Sequence, residues 1–172
     1  MKHTIGVLVE NHFGVLSRVS GLFSGRGFNI DSLAVGETED PTVSRMTIVV
    51  NGDERTLEQV KKQLNKLIEV IKVIDLTEKT FVDRELLLIK VTVTSKNRAQ
   101  ILEVADMLQA KTISVGLKSI TFEVGGESTQ IENAINLLRP FGIKEVVRTG
   151  RIAISRDDAE ASSDTSKNPT HP

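Results

Sequence analysis

The 172-residue sequence has no cysteine, tryptophan or tyrosine, only six phenylalanines and four prolines, and a net charge of −1 from 22 basic and 23 acidic residues. Without cysteine there is no disulfide framework, no thiolate zinc site and no cysteine nucleophile. The three histidines, His3, His12 and His171, are scattered without metal-ligand spacing. The charge balance gives no electrostatic reason to bind nucleic acid or an anionic membrane. The opening residues, MKHTIGVLVEN, hold no apolar stretch of signal-peptide length, and no segment reaches transmembrane length. A soluble cytoplasmic protein with a core of Val, Ile and Leu is the default expectation.

Residues 3–10 alternate, with Ile5, Val7 and Val9 on one side, and predict a strand. Residues 13–25 set Leu16, Val19, Leu22 and Phe23 at helical spacing, and Gly27 suits the left-handed position that ends a helix. Strands at 28–36 and 43–51 flank a polar loop containing Pro41. In the next helix Thr56 and Gln59 form a capping-box pattern, and Leu57, Val60, Leu64, Leu67 and Ile68 form its apolar stripe. A strand, VIKVIDLT, closes this half near Glu78.

The second half repeats the order. It has a strand at 85–94, a helix at 95–110 capped by Ser95, and strands around 111–126. A helix with a Thr129–Glu132 capping-box pattern follows, stopped by Pro140 and Gly142, and IKEVVRTGRIAIS supplies the last strand. Strand, helix, two strands, helix, strand, written twice, predicts an α+β chain of two consecutive ferredoxin-like βαββαβ domains, residues 1–78 and 79–157. Each is near the lower size at which one core suffices. The sheet faces turned away from the helices still carry aliphatic residues, as at 46–50, so a partner sheet, helix or subunit is expected. The tail, residues 158–172, is Ser-, Asp- and Pro-rich and is expected to be disordered.

Catalytic chemistry finds little footing. Ser17, Ser20 and Ser24 have no nucleophile elbow or histidine partner. Carboxylates such as Glu54 and Glu58 fall on polar helix faces. Gly25-Arg-Gly27 lacks the third glycine of a dinucleotide fingerprint and ends a helix rather than following a strand. RNA binding on this fold needs exposed strand aromatics, and the strand at 43–51 has none.

One stretch remains, ENHFGVLSR at 10–18. Gly14 falls where a first helical turn is expected, although glycine costs about 1 kcal/mol against alanine inside a helix. A helix N-terminus presents unpaired N–H groups that suit a carboxylate, and a glycine there lets a ligand reach the backbone. Asn11 and Asn29 offer donors and acceptors suited to an amino acid's charged ends. Against this stands a plain alternative: Asn11 caps the helix, Gly14 is incidental and Asn29 is a turn residue. On local physics alone capping is the better reading, because Asn is a preferred cap.

The segments NHFGVLSR, FSGRGFNIDSL, VSRMTIV and RTGRIAI change that balance. Through them, residues 3 to 155 resemble the small, regulatory subunit family of acetolactate synthase, whose first half is an ACT domain. The resemblance implies a chain that is not an enzyme on its own but belongs to a transferase holoenzyme. Its partner would be a catalytic subunit carrying thiamine diphosphate, Mg²⁺ and FAD. That subunit condenses pyruvate with pyruvate or 2-ketobutyrate on the way to valine, leucine and isoleucine. The small subunit would activate it and confer feedback inhibition by valine or another branched-chain amino acid. The resemblance further implies a homodimer through the ACT domains and an effector site at Asn11, Phe13, Gly14, Val15 and Leu16, completed by Asn29 and Ile30 of the facing subunit. No catalytic residue, metal or cofactor is assigned to the chain itself. An amino-acid-sensing ACT regulator without a catalytic partner is the alternative. A transcription regulator would need a DNA-binding segment for which the predicted elements leave no room.

Overall fold

The computed structural model of the chain describes residues 1–77 and 79–156. The expectation for the tail at 158–172 falls outside the described residues. Strands β1 (Lys2–Glu10), β2 (Ile30–Glu37), β3 (Val43–Asn51) and β4 (Val70–Asp75) form one antiparallel sheet in the order β2-β3-β1-β4. Helices α1 (Val15–Gly25) and α2 (Glu54–Leu64) pack on it. Strands β5 (Phe81–Thr92), β6 (Lys111–Val115), β7 (Ser119–Gly126) and β8 (Ile143–Arg148) form a second sheet in the order β6-β7-β5-β8, with α3 (Arg98–Met107) and α4 (Ser128–Leu138) against it. The βαββαβ order holds in both.

The last strand segment departs from the expectation. It breaks at Thr149-Gly150-Arg151 into β8 and a ninth strand, β9 (Ile152–Ser155), which pairs with the first residues of β5, Phe81–Arg84. The cause is local: Gly150 turns the chain with φ +79, a conformation open to glycine at little cost.

Alternation builds both cores. Ile5, Val7 and Val9 of β1 and Met46, Ile48 and Val50 of β3 meet Val15, Val19, Phe23, Leu57, Val60 and Leu64 from the helices. In the second unit Leu87, Ile89, Val91, Ile120 and Phe122 meet Ile101, Ala105, Ile131 and Leu138. Phe23 and Phe122 are the bulkiest fully buried side chains, one in each core. Each contributes about 2–3 kcal/mol relative to exposure.

The C-terminal end of α1 follows the expected chemistry, and the starts of α2, α3 and α4 differ from it. α1 closes in a Schellman motif, with Phe28 N–H on Phe23 O at 3.0 Å and Gly27 N–H on Ser24 O at 3.2 Å. α2 is capped by Asp53, whose carboxylate accepts from Thr56 N–H at 2.8 Å, so Thr56 is the third helical residue and not the cap. Asn97, not Ser95, precedes α3, and its side chain accepts from Thr94 N–H instead of capping. The box on α4 is Glu127 with Gln130, two residues earlier than Thr129 with Glu132.

The face of the first sheet away from its helices carries aliphatic residues as expected, but of Ile48, Val49 and Val50 only Val49 is among them. Met46, Ile48 and Val50 point to the helices, and the other face carries Thr4, Gly6 and Leu8 of β1, Arg45, Thr47 and Val49 of β3, and Ile74 of β4. That face is partly covered from within the chain, because β9 lies against β1. No helix among the described residues is long and apolar enough to cross a membrane.

Candidate functional site

The turn between β1 and α1 is built by two residues. Gly14 adopts φ +88 and is the residue before α1, not a member of its first turn. A side chain there meets a strained backbone although nothing stands within 4 Å of the missing Cβ. So Gly14 is required by backbone geometry, and the space beside it is open.

Asn11 does not cap the helix, and α1 has no side-chain cap at all. Its Nδ2 donates to Glu37 Oε1 at 3.0 Å and to the Pro41 carbonyl at 2.8 Å, tying the turn to the far end of β2 and to the β2–β3 loop. Two acceptors facing one end of the amide fix its orientation: both N–H donors are used and Oδ1 is left as an acceptor. The turn's own bonds are Val15 N–H to His12 O and Arg18 N–H to Gly14 O. Among the described residues the N–H groups of Leu16 and Ser17 find no acceptor. The turn therefore presents an oxygen acceptor at Asn11 and free amides with the positive end of the helix dipole. That pairing matches the ammonium and carboxylate of an α-amino acid.

Val15 is buried in the core, so its side chain is structural and only its backbone reaches the turn. Phe13 is fully exposed and Leu16 is 46% exposed, a pair of apolar side chains projecting from the same turn. Arg18 on α1 pairs with Glu69, which is nearly buried beneath it. Asn29 and Ile30 are not brought to this turn within one chain. Asn29 donates to Asp31 Oδ1 at 3.0 Å, and Ile30 packs against the first core. β1 and β2 are both antiparallel to β3, which lies between them, and hence parallel to each other, so across β3 Ile30 is level with the start of β1 and Glu37 with its end. The two clusters are about 23 Å apart at 3.3 Å per strand residue.

A polar seam that no sequence motif marks lies between the two sheets. A cleft of about 570 Å³ is lined by Asp31, Ser32, Val49, Glu132, Arg148 and Arg151, among others. Glu85, 5% exposed, accepts from the Arg148 guanidinium on both oxygens, and Arg148 Nη1 donates to Glu132 at 2.7 Å. The hydrogen bonds Arg148 donates to Glu85 hold its pKa well above the ordinary arginine value, against the opposing effect of burial, with Glu132 adding to the rise. The signal for this seam was present in two glycines. A Cβ on Gly6, inside β1, would stand 3.2 Å from Arg45 Nη2, and one on Gly150 would stand 2.5 Å from Ser32 Oγ. Glycine inside a strand pattern often marks such a close approach. Among the described residues no three His, Cys, Asp or Glu side chains are grouped to hold a metal ion.

A βαββαβ unit with an accessible, amide-rich turn after β1, followed by a second unit of the same order, is the arrangement found in the ACT-domain class of regulatory proteins, and the sequence matches place the chain there. Residues 5–72 match the AHAS small subunit-like ACT domain, and residues 84–157 match the family described as the small subunit of acetolactate synthase. A probable acetolactate synthase small subunit from Archaeoglobus fulgidus is 53% identical over 156 residues, covering 91% of this chain and 98% of that one. The acetolactate synthase small subunit of Mycobacterium leprae is 51% identical, covering 90% and 91%. The crystal structure of the acetolactate synthase small subunit from Thermotoga maritima superposes with a TM-score of 0.82 at 40% identity, over 91% of this chain and 98% of that chain. The chain belongs to the acetolactate synthase small-subunit family.

Proposed function

We propose that the chain is the regulatory subunit of an acetolactate synthase: it binds the catalytic large subunit, raises its activity and confers feedback inhibition by valine. In this reading residues 1–78 sense the effector, residues 79–157 form the second domain, and thiamine diphosphate, Mg²⁺ and FAD sit in the partner. The observation that carries it is the turn at Asn11–Leu16, where an oriented amide oxygen and free backbone amides stand beside an open space. An aliphatic side chain such as valine's would find Phe13 and Leu16 beside it.

The site is completed by a second copy. Among the described residues β2 pairs only with β3, so one edge of β2 is free. Antiparallel pairing of this edge with its twin about a two-fold axis carries Asn29 and Ile30 of one copy to the Glu37 end of the other. That end is where Asn11 is anchored. Valine bound across the two copies then ties its affinity to their relative orientation. An effector shifts activity only through differential binding of this kind, with coupling of about 1–3 kcal/mol.

The test is reconstitution. The purified chain alone forms no acetolactate from pyruvate. Added to its catalytic subunit, it increases the rate and makes that rate fall across a valine titration. A catalytic subunit whose rate is the same with and without the chain overturns the reading.

A further inference from the structure

The turn Thr149-Gly150-Arg151 leaves the second sheet and docks on the first. Gly150, at φ +79, brings the backbone so close to Ser32 that no side chain fits between them. Ser32 Oγ accepts from Arg151 N–H at 3.0 Å. The Arg151 side chain then divides between the two sheets. Nη1 donates to Thr4 Oγ1 on β1 at 3.0 Å, while Nε donates to Ser128 Oγ at 2.9 Å and lies 3.0 Å from Asp83 Oδ2 on β5. Arg45 of β3 adds a second tie, donating to the Ala153 carbonyl of β9 at 2.9 Å across the bare backbone of Gly6.

These bonds are unequal. Toward the second sheet the turn is held by charged partners, Asp83 for Arg151 and Glu85 and Glu132 for Arg148. Toward the first sheet Arg151 meets only neutral hydroxyls, Thr4 and Ser32. Bonds between two ions are the stronger class, so of the contacts made by the turn itself those to Ser32 and Thr4 are the weaker, with Arg45 on Ala153 as the remaining charge-assisted tie to the first sheet. Polar intramolecular interfaces of this sort permit relative domain motion.

Ser32 is also placed where β2 is irregular. The register of β2 on β3 shifts between Ile30 and Ser32. A bulge is a point at which a strand yields locally. Ser32 is two residues from Ile30 and three from Asn29.

We propose that the 149–151 turn, with Arg151 as its positioning residue and Ser32 as its counterpart, couples effector binding at the start of β2 to the orientation of the second sheet. The proposal rests on the reading of Asn29 and Ile30 as effector-site residues. Valine that fixes Asn29 and Ile30 against a second copy sets the bulge, the bulge sets Ser32, and Ser32 either holds or releases the turn.

The experiment uses the holoenzyme and two variants, Arg151→Gln and Ser32→Ala. Valine binding to the small subunit is measured by calorimetry, and inhibition by acetolactate formation in the reconstituted complex. Because the chain has no cysteine, nitroxides at Lys62→Cys and Glu103→Cys, diluted with unlabelled chain, report the distance between α2 and α3. Both variants are expected to bind valine within about threefold of the parent yet need about tenfold more valine for inhibition, a typical coupling loss. Their inter-sheet distance distribution should broaden and stop responding to valine. If Arg151→Gln fails to fold, Ser32→Ala decides, since it removes one hydroxyl and leaves the ion pairs intact. Parental inhibition curves and distances in Ser32→Ala overturn the coupling proposal alone. A parent chain that is inhibited by valine but keeps inhibition after Asn29→Ala and Ile30→Ala overturns the effector reading on which it rests.

Discussion

Asn11 and Glu37 are 26 residues apart in sequence and joined side chain to side chain at 3.0 Å, with Asn11 as the donor. That bond, with the one to Pro41, makes Asn11 a strut between the β1–α1 turn and the end of β2. A capping role would have left it replaceable by any good cap.

Asn11→Ser tests the difference. Serine is a good cap but too short to reach Glu37 and Pro41 together. The exposed bonds lost are worth about 1 kcal/mol. The variant is expected to fold, to activate the catalytic subunit and to lose sensitivity in a valine titration. An unchanged inhibition curve would show that Asn11 Oδ1 meets no effector.

Gly14 separates backbone strain from ligand contact, because it has positive φ and empty space beyond its Cβ position. Gly14→Ala introduces strain of about 1–2 kcal/mol and little else. Gly14→Asp introduces similar strain plus a negative charge facing the effector's carboxylate. Thermal unfolding should fall alike in both, while valine resistance should be far greater for Gly14→Asp. Equal resistance in the two would assign the effect to the backbone conformation instead.

Periodic apolar residues made most of the fold legible. Ile5, Val7 and Val9 alternate as a half-buried strand must, and Leu57, Val60 and Leu64 recur as a helix face must. Helix starts were less legible, because Thr56 and Thr129 match a capping pattern from inside the first turn while the preceding Asp53 and Glu127 do the capping. The Asn11 turn was legible as a helix entrance, but its φ and its struts were not: Glu37 and Pro41 become neighbours only once β2 and β3 pair. Nor does local sequence bring Arg151 to Thr4, 147 residues away. Gly6 and Gly150 carried that information only as missing side chains.

Glu85 anchors the second sheet's end of the seam. It is almost wholly buried and engages Arg148 with both oxygens. Glu85→Ala removes one member of that pair, for which about 3 kcal/mol is expected, the low end for a buried pair because Arg148 retains Glu132 and is a third exposed. Chemical denaturation should register the loss directly. A cost below about 0.5 kcal/mol would place the pair among surface ion pairs.

Asp75 and Lys61 give the first unit a pH signature. Lys61 Nζ lies 3.1 Å from Asp75 Oδ2, and Asp75 also accepts from Thr77 N–H at 2.9 Å. Burial alone raises the Asp75 carboxyl, but the hydrogen bonds from Thr77 and Lys61 outweigh it and the pKa lies below the usual aspartate value. Lys61 is shifted the other way, upward, first by Glu58 and then by Asp75. A carboxyl with a depressed folded pKa contributes stability above the unfolded value, near pH ~4, and loses it as pH falls through the folded value. A lysine with a raised folded pKa contributes below about pH 10 and loses it as pH rises through the folded value. The pair therefore stabilises the fold across the neutral window, by well under about 1 kcal/mol given its exposure to solvent. Asp75→Asn should be less stable than the parent near neutrality, with the gap in urea midpoint closing as pH drops below about 4. A gap that stays constant down to the acid limit would mean that Asp75 acts through its hydrogen bonds as a neutral group, independent of its charge.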